Sequence, residues 1–220
     1  MSRQYHRLTM PIQTVIGSVA NNPKPPTTLL SVLIDRLVPV TAPRVAPRLV
    51  VLLKVAGGVL LLALLAQVRL QIGPVPITGQ TLGVLLLGAA YGLPLGVTTV
   101  VAYALLGAAG LPVFAGGGSG LAYLAGPTGG YLVGFVLAAA LLGYLARRGW
   151  DQSLASCALA MGLASLTIYL PGLAWLHYAL GLGWRATVAA GLTPFLVGDV
   201  IKLAIAAVAL PGAWRFLGAR

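Results

Sequence analysis

From Leu49 onward the hydrophobic positions come in long runs, separated by short breaks of glycine, proline, polar or charged residues. The runs are Leu49–Val68, Leu82–Tyr91, Leu95–Ala109, Tyr131–Ala146, Leu154–Tyr178 and Thr187–Leu210. They predict an all-α membrane protein, a six-transmembrane-helix bundle. The second and third runs are short. A helix of about 15 residues is roughly 22 Å long, against a hydrocarbon core of ~30 Å. Two short helices joined at Gly92-Leu93-Pro94 therefore fit better than one bent span. A kink is expected at Pro171 in the fifth run. Between the third and fourth runs lies Leu111–Phe135, LPVFAGGGSGLAYLAGPTGGYLVGF, rich in glycine and free of charge. Irregular backbone at membrane depth is tolerated where it is buried in protein or lines a cavity. The stretch is therefore expected to be the lid over a site for a small, uncharged or weakly charged ring system.

Composition agrees with the runs. Hydrophobic residues make up 59% of the chain and charged ones 8%, against about 25% charged in ordinary soluble domains. The net charge is +11, with 14 Lys+Arg against 3 Asp+Glu. No charged residue or histidine occurs between Leu70 and Ala146. The positives lie at the N-terminus and at helix ends rather than in a basic patch, so nucleic acid is not an expected partner. With both termini cytoplasmic, eleven Lys and Arg fall inside and only Arg69 and Arg185 outside. That asymmetry satisfies the positive-inside rule and puts the glycine-rich loop, between helices 3 and 4, on the outer side.

The ends read differently. Residues 1–48 form a basic, proline-containing N-terminal extension, residues 49–214 the membrane domain and residues 215–220 a short cytoplasmic tail. No apolar region follows the first basic residues, so a secretory signal is not expected. The extension reads mainly as a flexible arm near anionic headgroups, with a short amphipathic surface helix at Leu29–Val38 as the alternative.

Candidate chemistry is sparse. A single cysteine, Cys157, excludes an intrachain disulfide and a cysteine-built metal site; it reads as a small core residue. His6 and His177 have no serine or cysteine at a catalytic spacing, so no catalytic residue, metal or cofactor is assigned. Asp199 and Lys202 stand out because an ionisable group at mid-bilayer costs roughly 2.5–3.5 kcal/mol on insertion scales and usually faces a protein interior. Their i, i+3 spacing puts both on one helix face. They form either an ion pair that locks helix packing or the polar floor of a pocket. Pro194 and Gly198 would loosen that helix and let a ligand approach its backbone.

GGGSG has no lysine and lacks the GxxxxGK[ST] spacing, which rejects a phosphate-cradling loop. Gly116–Gly120 reads as a mobile flap. Gly126–Tyr131 breaks and restarts a helix, whose first N–H groups would face a ligand acceptor. Ser119 and Tyr131 add hydroxyls, Phe114 and Tyr123 add aromatic surface, and Gly116 and Gly130 complete the candidate ligand-binding set.

Three segments carry a resemblance: PVPITGQTLGVLLLGAAYG, LPVFAGGGSGLAYLAGPTGGYLVGF and PFLVGDVIK. In this order they resemble the BioY family, the biotin-specific substrate-binding (S) components of energy-coupling-factor (ECF) transporters, over about Leu49 to Leu210. The resemblance implies a six-helix bundle in the plasma membrane that captures biotin from outside, beneath the loop between helices three and four. Asp199 and Lys202 occupy the family's Asp-x-x-Lys positions and complement the ureido ring, with Lys202 meeting either the ureido carbonyl or the valerate carboxylate. The thiophane ring would rest on Phe114, Tyr123 or Tyr131. Implied partners are a transmembrane coupling protein and a pair of ABC-type ATPases, since this chain has no Walker motif. The alternatives are a stand-alone secondary vitamin transporter or an S component for a different vitamin.

Overall fold

A computed structural model describes residues 28–37 and 47–218. Its elements are α1 (Leu29–Leu37), α2 (Pro47–Gln67), the two-residue strands β1 (Arg69–Leu70) and β2 (Ile77–Thr78), α3 (Gln80–Ala108), α4 (Leu121–Ala125), α5 (Gly129–Ala146), α6 (Leu154–Leu180), α7 (Trp184–Gly191) and α8 (Leu196–Leu217). Single 3-10 turns occupy Ala115–Gly117 and Thr193–Phe195. Among the described residues, five helical stretches are long and apolar enough to cross a membrane: Arg48–Gln67, Gln80–Ala108, Gly129–Ala146, Leu154–Leu180 and Trp184–Leu217. Their outward faces carry exposed Leu52, Leu60, Leu64, Leu166, Leu170 and Val197, as hydrocarbon rather than water would require.

The 29 residues of α3 are not one rod. A straight helix of that length would put its ends about 40 Å apart. Instead the Gln80 side-chain amide donates to the Tyr103 hydroxyl at 2.7 Å, and a Cβ added at Gly96 would lie 3.3 Å from Gly88 Cα. The two halves run antiparallel and touch. The reversal is at Gly92, whose φ of 74° and ψ of 175° are open to glycine and strained for other residues. Pro94 follows at the start of the second arm, where its missing N–H costs nothing. The sequence segment Gly92-Leu93-Pro94 thus makes a tight helical hairpin.

Helix α5 is the centre of the bundle: 61% of its apolar window is buried, against 22% for α2. Glycine allows it to approach its neighbours closely. An added Cβ would lie 2.9 Å from Ala139 Cα if placed at Gly88, and 2.6 Å from the Ile168 carbonyl if placed at Gly134. Gly143 abuts the backbone of Gly92 and Leu93, so α5 also wedges against the hairpin turn. Cys157 is fully buried in the same core.

Helix α1 lies at the hairpin-turn end, with Leu29 buried and Thr28 against Gly92. Thr28 and Ser31 cap each other reciprocally: the Thr28 N–H donates to Ser31 Oγ at 3.1 Å and the Ser31 N–H to Thr28 Oγ1 at 3.3 Å. Leu29–Leu37 is thus helical, with Leu29 packed into the core; residues 1–27 and 38–46 of the N-terminal extension lie outside the described residues.

The last apolar run also differs from its sequence reading. The chain breaks at Leu192 (φ −126°, ψ −55°) next to Pro194, and α8 begins at Leu196. It ends at Leu217 rather than Leu210, because Leu210, Pro211, Trp214 and Leu217 are all buried against the bundle. Asp199 consequently sits in the first turn of a helix, not in the middle of one.

Candidate functional site

The starts of α3, α5 and α8, the middle of α6 and the β1–β2 connection converge on one cavity. Val75, Pro76, Leu132, Phe135, Ile168 and Phe195 give it apolar walls. Tyr131 is the hub of its aromatic side, with ring centroids 6.3 Å from both Tyr169 and Phe195.

The polar groups cluster on one side. Lys202 Nζ donates to Asp199 Oδ1 at 3.1 Å and to Thr81 Oγ1 at 2.9 Å. The Tyr169 hydroxyl donates to Asp199 Oδ2. Asp199 and Lys202 are only 15% and 14% exposed, and Asp199 stands in the first turn of α8. Nearby, Thr78 Oγ1 donates to Gln80 Oε1 at 3.0 Å. Gln80 in turn donates to Tyr103, whose hydroxyl donates to the Val113 carbonyl at 2.9 Å. This relay ties the cavity wall to the root of the glycine-rich loop.

Of the sequence-predicted residues, Asp199, Lys202, Tyr131 and Tyr123 line the cavity. The Tyr131 hydroxyl is spent on the Gly191 carbonyl at 2.7 Å, so the residue offers its ring rather than its hydroxyl. Four others lie elsewhere. Phe114 is completely buried, edge-on to Tyr103 and stacked 4.7 Å from Tyr123; it supports a wall from behind. Gly116 packs against the Arg69 guanidinium. Gly130 faces Pro171 and Trp175 on α6, because α5 turns that position toward its neighbour. Ser119 is not among the cavity-lining residues.

The loop that reads as a flap is held at several points: Gln67 Nε2 donates to the Phe114 carbonyl at 3.2 Å, and the Gly120 N–H to the Gly107 carbonyl at 2.7 Å. At the α5 start, the Gly129 and Tyr131 N–H groups bond within their own turn, to Gly126 and Thr128 carbonyls at 3.2 and 3.1 Å. They are not free for a ligand acceptor.

Sequence reasoning passed over Thr78, Gln80, Thr81, Thr128, Ser165 and Tyr169, all of which line the cavity. The cluster Thr78-Gly79-Gln80-Thr81 carried a signal, being polar residues immediately before an apolar run. Tyr169 and Ser165 carried little, since polar residues inside a long helix give no hint of which way they face.

The sequence model of the BioY family matches residues 40–219. The chain belongs to the BioY family. It is 42% identical over 143 residues to a probable biotin transporter BioY of Pyrococcus horikoshii, covering 65% of this chain and 83% of that protein. It is 38% identical over 160 residues to a biotin transporter BioY of Rhizobium etli, covering 70% and 85%. The Thermotoga maritima biotin transporter BioY is 42% identical over 144 residues, covering 65% and 83%. The fold resembles the crystal structure of the S-component for biotin from an ECF-type ABC transporter, with a TM-score of 0.68 and 23% identity over 76% of this chain and 92% of that one. Membership of this family and the apolar helices make the chain a multi-pass membrane protein of a transport family.

Proposed function

We propose that this protein captures biotin and mediates its uptake across the plasma membrane, as the substrate-binding component of an ECF-type transporter. The observation that carries the reading is the valence count on the cavity floor. A carboxylate offers about four acceptor sites and an ammonium three donors. Tyr169 and Lys202 use one site on each Asp199 oxygen, which leaves acceptor capacity for N–H donors. Lys202 uses two donors on Asp199 and Thr81, leaving one, and the Thr81 hydroxyl proton is a second. Two acceptors beside two donors, in an otherwise apolar and aromatic cavity, complement a cyclic urea with two N–H groups and one carbonyl. The fused thiophane ring then packs on the Tyr131–Phe195 side.

Counting the two arms of α3 separately gives a six-helix bundle. Arg69 and Arg185 lie at the cavity end; Arg48, Arg147, Arg148 and Arg215 lie at the other. The positive-inside rule then opens the cavity outward, with both termini cytoplasmic. Transport draws its energy from a coupling protein and ATPases in partner chains.

The test is equilibrium binding of radiolabelled biotin to purified protein, with thiamine and riboflavin as competitors, and uptake by a biotin-uptake-deficient cell with and without a coupling module. Asp199→Asn should weaken binding by about 1–2 kcal/mol or more, because a ligand N–H loses a charged acceptor and Lys202 loses its partner. Unchanged affinity sinks the floor assignment; uptake by the chain alone that collapses with the ion gradient would favour a secondary transporter.

A further inference from the structure

Seven hydroxyl-bearing residues line the cavity, Tyr123 and Thr128 bonded to each other and the other five engaged in different ways. Tyr131 donates to the Gly191 carbonyl, Ser165 to the Met161 carbonyl at 3.0 Å and Thr78 to Gln80. Thr81 accepts from Lys202. Tyr169 alone among these donates to the floor carboxylate. It does so from α6, thirty residues away in sequence, whereas the other hydrogen-bonding partner of Asp199, Lys202, belongs to the same helix at i+3.

From this geometry we infer that Tyr169 is a positioning residue for the ligand's N–H groups: it fixes the rotation of the Asp199 carboxylate so that the free lone pairs of both oxygens point into the cavity. The inference rests on the reading of this cavity as the biotin site. Held by Lys202 alone, the carboxylate is tethered at Oδ1 only and to a flexible chain that also reaches toward Thr81. The group can then turn about its terminal torsion, which is a broad, soft one, and must be ordered again when ligand binds. A second donor from another helix removes that freedom beforehand, which is how preorganisation raises affinity without adding a ligand contact. The ring of Tyr169 is also fixed, by edge contacts to Tyr131 and Phe195 at 6.3 and 6.4 Å between centroids. The phenol is therefore a rigid support rather than a mobile competitor for the carboxylate.

A double-mutant cycle on the full chain in lipid nanodiscs, read by radiolabelled biotin affinity, tests this. Tyr169→Phe keeps the ring and removes only the donor. It should weaken binding about tenfold in the parent and by less than about twofold in the Asp199→Asn background, where the group it positions is already gone. Tyr131→Phe is the control: its hydroxyl belongs to the same aromatic cluster but bonds to Gly191, so its loss should be equal in both backgrounds. Equal losses for Tyr169→Phe in both backgrounds would reduce Tyr169 to general packing and overturn the inference. So would unchanged or tighter binding by Tyr169→Phe, which would make the phenol a competitor. An Asp199→Asn protein that binds like the parent refutes the site itself. A weakened Asp199→Asn with additive Tyr169→Phe refutes only the positioning role.

Discussion

Replacing Gly143 by alanine probes the contact on which the α3 hairpin depends. A methyl group at that position would lie 2.5 Å from Leu93 Cα and 2.7 Å from the Gly92 carbonyl carbon, whereas ordinary contact begins at 3.4 Å. The neighbours are backbone, not the ends of flexible side chains, so relief needs the hairpin turn or α5 to shift by roughly 1 Å in a close-packed interior. Overpacking of this kind costs about 1–3 kcal/mol, and rigid backbone neighbours put this case in the upper part of that range, at about 2–3 kcal/mol. Alanine also favours the helix over glycine by ~1 kcal/mol, so the net loss should be about 1–2 kcal/mol. For a chain of this size each kcal/mol is worth roughly 2–4 °C, which puts the drop in melting temperature at about 2–8 °C. Cys157 supplies the assay: it is the one cysteine in the chain and has no exposed surface, so a thiol-reactive fluorophore reports unfolding directly. Gly57→Ala is the matched control, since nothing lies within 4 Å of a Cβ there and only the helix preference acts. It should leave the melting temperature unchanged or raise it slightly. If Gly143→Ala melts at or above the parent, the hairpin turn is not wedged against α5 and the antiparallel reading of α3 fails.

Two further outcomes follow from buried polar groups. Tyr103→Phe strands the Gln80 amide N–H and the Val113 carbonyl; each buried orphan costs about 1–3 kcal/mol, so the variant should melt lower and exchange amide hydrogens faster across residues 111–120. Asp151, in the turn between α5 and α6, is buried with Oδ2 accepting from Trp214 Nε1 at 2.7 Å and Oδ1 unpartnered. Burial raises its pKa, and the Trp214 N–H offsets this in part. With the folded value above the unfolded one, the stabilising contribution is fully present below the unfolded carboxylate pKa of about 4 and is lost as pH rises through the folded value. Thermal melts of the parent should therefore show a stability decrement over that window that is missing in Asp151→Asn; parallel pH profiles would contradict the assignment.

The residues that could be found in the sequence were those with few ways of being there. Asp199 and Lys202 interrupt an apolar run, and an ionisable pair in that setting has to face protein. The aromatic and glycine positions of Leu111–Phe135 were harder to sort. The stretch reads as one lid, yet Tyr123 and Tyr131 face the cavity, Phe114 is sealed behind Tyr123, and Gly116 and Gly130 serve packing against Arg69 and α6. Their roles depend on helix rotation, which an apolar stretch flanked by apolar neighbours does not encode as a periodic pattern.

Composition and run length were sufficient to establish a polytopic helical membrane protein, because the hydrophobic cost of each segment adds along the chain and needs no knowledge of partners. The motif order carried the family in the same additive way. What required three dimensions was every property that belongs to a pair of distant residues. The break at Gly92-Leu93-Pro94 was legible in the sequence, but the packing of the two arms against each other shows only in contacts such as that between Gln80 and Tyr103. The break before α8, which turns Asp199 into a first-turn residue, is set by the chain around Pro194 rather than by hydropathy. Tyr169 joined the site only when α6 packed beside α8 and brought its phenol to the carboxylate. Hydropathy is a sum over residues, whereas a binding floor is made of distances between them.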